Sequence, residues 1–154
     1  MFGSIGLTAE YVGGVAPADA HWAEMVSFIG LGGNGLRGSL VVSIPGSLLQ
    51  RCHPTRSADV DDQADWLAEI ANLTLGRIKS RLHALHVTIE LSTPITISAK
   101  ELRFARFAST PIIHKYTLDE SNLYVGFQAV SDDSAALDAA LGEAPVAVGE
   151  AVFF

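Results

Sequence analysis

The sequence predicts an α+β domain: a largely antiparallel sheet with one long amphipathic helix packed on one face. Three observations predict it. Strand-like segments occur in hairpin pairs instead of alternating with helices. A single long stretch of helical period covers about residues 61–85. The chain is 154 residues long and 49% hydrophobic, which suits one core and leaves no room for a second domain of ordinary size. The whole chain, 1–154, is read as a single domain.

Residues 1–24 are rich in Gly and Ala with little period, and only ADAHWAEM suggests a short helical or turn segment. From Val26 the pattern turns to strand. In LRGSLVVSIP, Leu36, Leu40, Val42 and Ile44 fall on one face and Arg37, Ser39 and Ser43 on the other. Asn34-Gly35 before it is a two-residue hairpin signal. Pro45-Gly46 ends that strand, and SLLQRC forms a short helix before the loop HPTRSADVDD.

The long helix follows, Asp-rich in its first turn and carrying Lys79, Arg81 and His83 near its end, as the helix dipole favours. At 3.6 residues per turn, Leu67, Ile70, Thr74, Ile78, Leu82 and Leu85 form a buried stripe, with Asp65, Glu69, Asn72, Gly76 and His83 nearly opposite. HVTIELSTPITISAK then keeps one phase through Val87, Ile89, Leu91, Ile95 and Ile97, and Pro94 restricts it to an edge or bulged strand. After ELRFARF, the segments PIIHKYTL and NLYVGFQAV form a hairpin through the turn residues DESN. SDDSAALDAALGE reads as a short C-terminal helix stopped by Gly142, and the apolar tail APVAVGEAVFF is expected to pack against the domain.

Composition excludes several function classes. A net charge of −7, with ten scattered Lys and Arg, argues against a nucleic-acid partner, whose affinity comes mostly from clustered basic side chains. Cys52 is the only cysteine, so no intrachain disulfide forms and a buried thiol in a reducing compartment, the cytoplasm, is expected. The start of the chain has no basic segment followed by an apolar one, and no apolar run approaches the roughly 18 residues a membrane helix needs. Charged residues are only 18% of the chain, which tolerates an interface between copies.

Other motifs fail on context. Gly30-Leu31-Gly32-Gly33-Asn34-Gly35 matches G-x-G-x-x-G, but a strand follows it, whereas a dinucleotide site needs a helix N-terminus there. His83 and His86 are spaced for one metal ion only if the helix continued, and no third ligand is near in sequence. Cys52 and His53 are adjacent and followed by Pro54, a poor arrangement for a nucleophile and its base. No G-x-S-x-G elbow is present.

The exposed face of the long helix differs. Glu69 and Asn72, at i and i+3, project side by side, and Gly76 removes a side chain from the same ridge one turn on. Glycine inside a helix costs about 1 kcal/mol relative to Ala. On an exposed face it has no packing purpose, but it lets a partner's backbone approach.

Asp65, three residues, Glu69, two residues, Asn72, then Gly76 and finally Pro94 resembles the signature of the CheC, CheX and FliY family of chemotaxis phosphatases, CheX most of all. The proline comes one residue earlier than in the family pattern. A strand pair, a short helix, the motif helix and a strand with a Pro extend the resemblance over roughly residues 26–130. The chain has one E-x-x-N motif, as CheX does, where CheC has two, and its start lacks the helix usual in CheX.

The resemblance implies a phosphatase acting on the aspartyl phosphate of a CheY-like response-regulator receiver domain, in chemotaxis or two-component signalling. Asn72 would orient the attacking water and Glu69 would pair with the receiver's phosphoryl-contacting Lys. Asp65 would be a peripheral contact and Gly76 a clearance position. Magnesium would be held by the receiver, with no cofactor or metal on this chain, and the chain would form a homodimer by extending its sheet. The alternative is a non-catalytic module of the same fold that binds a receiver or a motor-switch component. A third reading is a structural homodimer in which Glu69 and Asn72 are merely solvated.

Overall fold

The structure is a computed structural model, and it describes residues 8–33, 35–84, 86–104, 109–118, 120–132 and 151–152. Strand β1 (Thr8–Val15) and a 3-10 turn at Pro17–Asp19 precede the hairpin of β2 (Met25–Gly33) and β3 (Leu36–Ser43). Helices α1 (Gly46–Cys52) and α2 (Val60–Ala84) follow, then β4 (Glu90–Leu91), β5 (Ile95–Ser98), β6 (Ile112–Leu118), β7 (Ser121–Ser131) and β8 (Ala151–Val152). Among the described residues the strands form one antiparallel sheet in the order β4-β2-β3-β7-β6-β1-β8, with β5 also paired to β2. Helix α2 crosses β2, β5 and β3, and α1 packs on α2. The predicted α+β architecture is the one observed.

Turn chemistry sets the central hairpin. Gly33 pairs with Leu36, leaving a two-residue turn in which Gly35 has φ 72°, a conformation a Cβ disfavours; Asn34 lies outside the described residues. The G-x-G-x-x-G stretch is therefore hairpin, with no helix after it.

The core lies between the sheet and α2. Ile29, Leu40 and Val42 meet Leu67, Ile70, Ala71, Leu75 and Leu82, with Leu48 and Leu49 of α1 closing one side. The buried side of α2 is wider than the predicted stripe. Ala71 and Leu75 are fully buried, while Thr74 and Ile78 are only half-buried and Leu85 lies outside the described residues. A helix lying flat on a sheet buries two adjacent ridges, an arc of roughly 100° or more.

At the sheet edge the structure corrects the single phase predicted through Val87, Ile89, Leu91, Ile95 and Ile97. Leu31 pairs with Leu91 but Phe28 pairs with Ile95, so the edge strand spends one more residue than β2 over that interval. The extra residue falls at Ser92–Pro94, where Gly30 N–H donates to Ser92 Oγ at 2.8 Å. Because side chains alternate, the bulge turns Ile95 and Ile97 to the face away from α2, where they are 65% and 42% exposed. Thr96 faces α2 instead, with its hydroxyl 3.1 Å from Ser27 Oγ and 3.3 Å from the Ala64 carbonyl oxygen.

The face away from α2 is not simply solvated. Ser43 is fully buried there and accepts the Ala23 N–H at 2.8 Å. Phe104 packs edge-on to Trp22, with ring centroids 4.8 Å apart, and to Phe28. Strand β1 is absent from the prediction because Gly13-Gly14 and a register shift between Tyr11 and Gly13 erase its alternation. Of the tail, Ala151–Val152 pairs with β1 as β8; the rest of the tail and the predicted C-terminal helix around Leu137 and Leu141 lie outside the described residues.

One packing detail carries a pH prediction. Burial lowers the pKa of His114 below its ordinary 6.5, and Tyr11 Oη lies 3.1 Å from His114 Nδ1. Above pH 6.5 both folded and unfolded chains hold this imidazole neutral. As pH falls below 6.5 the unfolded chain takes the proton first, so stability declines until pH has passed the folded pKa. Urea midpoints measured from pH 7.5 down to 5 should fall, and His114→Gln should flatten that part of the profile.

Candidate functional site: the exposed face of the long helix

Local chemistry fixes where α2 begins. Asp59 Oδ1 accepts the N–H groups of Asp61 at 2.9 Å and Asp62 at 3.2 Å, satisfying donors that the first turn leaves open. Ser57 donates to Asp62 at 2.6 Å. From that start the 25-residue helix runs unbroken, with Leu67, Ile70 and Leu75 no more than 3% exposed on its inner side.

The phase that buries those leucines turns Asp65, Glu69 and Asn72 to solvent, all three exposed, with Gly76 half-exposed beyond them. The structure thus brings the four predicted residues onto one side of α2. Among the described residues none of the three polar side chains has a hydrogen-bond or ion-pair partner. A Cβ added at Gly76 would meet nothing within 4 Å, so the chain's own packing does not require glycine there. Gly76→Ala should therefore raise stability by about 1 kcal/mol, the helix-propensity difference, read as a higher urea midpoint.

This face is convex. Clefts lined by described residues lie elsewhere: around Trp22, Lys100 and Phe104, between α1 and the β6–β7 end of the sheet, and along the β2 edge by Ser92. Asp65, Glu69, Asn72 and Gly76 line none of these three. A convex face with unpaired polar tips suits insertion into another molecule's site better than enclosure of a small ligand.

His53 and His114 each have a side-chain partner among the described residues. His53 Nδ1 accepts the Thr55 N–H at 3.2 Å and lies 3.0 Å from the Thr55 hydroxyl, holding the turn after α1. Among the described residues no three His, Cys, Asp or Glu side chains group as metal ligands, and no helix is long and apolar enough to cross a membrane. Cys52 is half-buried against the core, less enclosed than predicted, because α1 ends there.

The sequence matches the family model for the chemotaxis phosphatase CheX over residues 25–116, more than half of the chain. The chain belongs to the CheX family. No curated protein matches it. Among solved structures it is similar to CheX of Vibrio vulnificus, with a TM-score of 0.70 and 17% identity over 82% of this chain and 86% of that one. It is similar to CheX of Desulfovibrio desulfuricans, with a TM-score of 0.71 and 16% identity over 82% and 89%. A complex of CheX with CheY, BeF3 and Mg from Borrelia burgdorferi matches with a TM-score of 0.57 and 18% identity over 68% and 75%. At these identities the structural matches show a shared CheX fold, and the family-model match carries the assignment. The matched span takes in β2, β3, both helices, the edge strands and most of β6, so the exposed face of α2 falls inside it.

Proposed function

We propose that this protein is a phosphatase that hydrolyses the aspartyl phosphate of a CheY-like receiver domain in the cytoplasm, in chemotaxis or two-component signalling. The observation that carries the reading is the face of α2 on which Glu69 and Asn72 stand exposed and unpaired beside the bare Gly76, within a CheX-family chain. The structure of a CheX with CheY, BeF3 and Mg supports a receiver as the partner.

The chemistry asks little of the enzyme beyond placement. Water attacks phosphorus in line with the departing carboxylate oxygen, the phosphorus–oxygen bond to aspartate breaks, and inorganic phosphate leaves with the carboxylate restored. The Asn72 carboxamide accepts a hydrogen bond from that water and fixes its position; an amide is too weak a base to take its proton. Glu69 pairs with the receiver's Lys and anchors the helix. Asp65 makes a peripheral contact, and Gly76 leaves clearance for the receiver's backbone. Magnesium belongs to the receiver, where carboxylates hold it against the phosphoryl oxygens.

A homodimer formed by sheet extension fits the outer edge of β5, which no described strand pairs and where Ile95 and Ile97 are exposed. The deciding experiment follows phosphate release from phosphorylated receivers with Mg²⁺, with and without this protein. Acceleration beyond autodephosphorylation supports the enzyme. Phosphorylation-dependent binding without acceleration would leave a receiver-binding module instead.

A further inference from the structure

Resting on that reading, we infer that Leu73 is the apolar contact on which the receiver seats, and so a specificity-determining residue of the motif helix. Leu73 is 37% exposed, although α2 has a fully buried side available to leucine. It follows Asn72 directly and lies one turn beyond Glu69 and one turn before Arg77, so it borders the open space above Gly76. A partner backbone admitted by Gly76 comes into contact with Leu73.

Charge on the helix argues for what covers it. Every charged residue from Asp59 to Glu69 is acidic (Asp59, Asp61, Asp62, Asp65, Glu69), and Arg77, Lys79 and Arg81 beyond Gly76 are basic; all are exposed. The helix dipole accounts for charges in the first and last turns only, and Asp65 and Glu69 lie past the first. Leu73 stands where the sign changes. On that reading the receiver's Lys meets Glu69, and the basic half fits acidic side chains of the receiver beyond the metal-bound phosphoryl group. Complementary charge orients the partner, and an apolar contact at the centre of the footprint supplies the affinity.

The test uses the full chain and a cognate receiver activated with beryllofluoride and Mg²⁺. Leu73→Gln should weaken binding about tenfold and raise KM for phosphate release by a similar factor with kcat little changed. Leu73→Met should bind within about twofold of wild type. The melting temperature of Leu73→Gln should fall by no more than a few degrees, since Leu73 is 37% exposed and outside the buried core of the isolated protein. Wild-type affinity in Leu73→Gln overturns the inference while leaving the phosphatase reading intact. A larger loss of melting temperature also overturns it, as does conversion of a homodimer to monomer by Leu73→Gln, because Leu73 would then serve the fold or a second copy. A wild-type protein that neither binds nor dephosphorylates any cognate receiver overturns both readings.

Discussion

Asn72→Ala should lower the catalysed rate of phosphate release by about 10²-fold, because a misplacement of the reacting water by roughly 1 Å already costs that much. Binding of a beryllofluoride-activated receiver should survive, since the carboxamide is proposed to act on the water and not to anchor the complex. Stability should not fall. Asn72 is exposed and makes no hydrogen bond among the described residues, and Ala is the better helix former by several tenths of a kcal/mol. A drop in kcat without a drop in urea midpoint is therefore the expected signature. Glu69→Ala should differ, weakening binding and turnover together, as loss of an anchor does. Gln at position 72 keeps the amide but moves it outward by one carbon–carbon bond, about 1.5 Å, and should restore little of the rate. If wild-type protein and Asn72→Ala leave receiver dephosphorylation equally unaccelerated, catalysis through this amide is excluded.

Much of what positions this site could be read without coordinates. An amphipathic period specifies a helix and its phase together, so placing Leu67, Ile70 and Leu82 inward already placed Glu69 and Asn72 outward. The hairpin turn at Gly35 and the pairing of β6 with β7 were equally local, set by turn residues between apolar runs. Features that depend on distant partners were not legible. Strand β1 pairs with a strand about a hundred residues later, and its Gly-Gly and register shift leave no alternation. The bulge at Ser92–Pro94 was foreshadowed by Pro94, but its effect on Ile95 and Ile97 depends on a one-residue count against β2 that no local pattern contains. Burial of Ser43 similarly depends on a distant segment, whose Ala23 N–H it accepts. Leu73 shows the opposite difficulty: an exposed leucine is ordinary by itself, and only its position beside Gly76 gives it interest.

The inner side of the same helix allows a second large effect to be predicted. Leu75→Ala should destabilise the fold by about 3 kcal/mol, within the roughly 2–5 kcal/mol typical of a leucine removed from a packed core. Leu75 is 0% exposed and joins Leu67, Ile70 and Leu82 in the contact between α2 and the sheet. Deleting its side chain forfeits transfer free energy and leaves a cavity that two rigid elements cannot close. With an m-value of about 2 kcal/mol per molar urea, the midpoint should fall by about 1.5 M. Thr74 and Ile78, which helical spacing alone ranks as core, provide the comparison. Both are half-buried, and the Thr74 hydroxyl is already satisfied by the Ile70 carbonyl oxygen at 2.7 Å. Thr74→Ala should therefore cost under about 1 kcal/mol, and Ile78→Ala less than Leu75→Ala. Equal losses at positions 74, 75 and 78 would mean that α2 rests on a single ridge centred between them. Glu69 and Asn72 lie nearly opposite that ridge as well, so their outward orientation holds under either outcome, and the comparison tests only how wide the buried arc of α2 is.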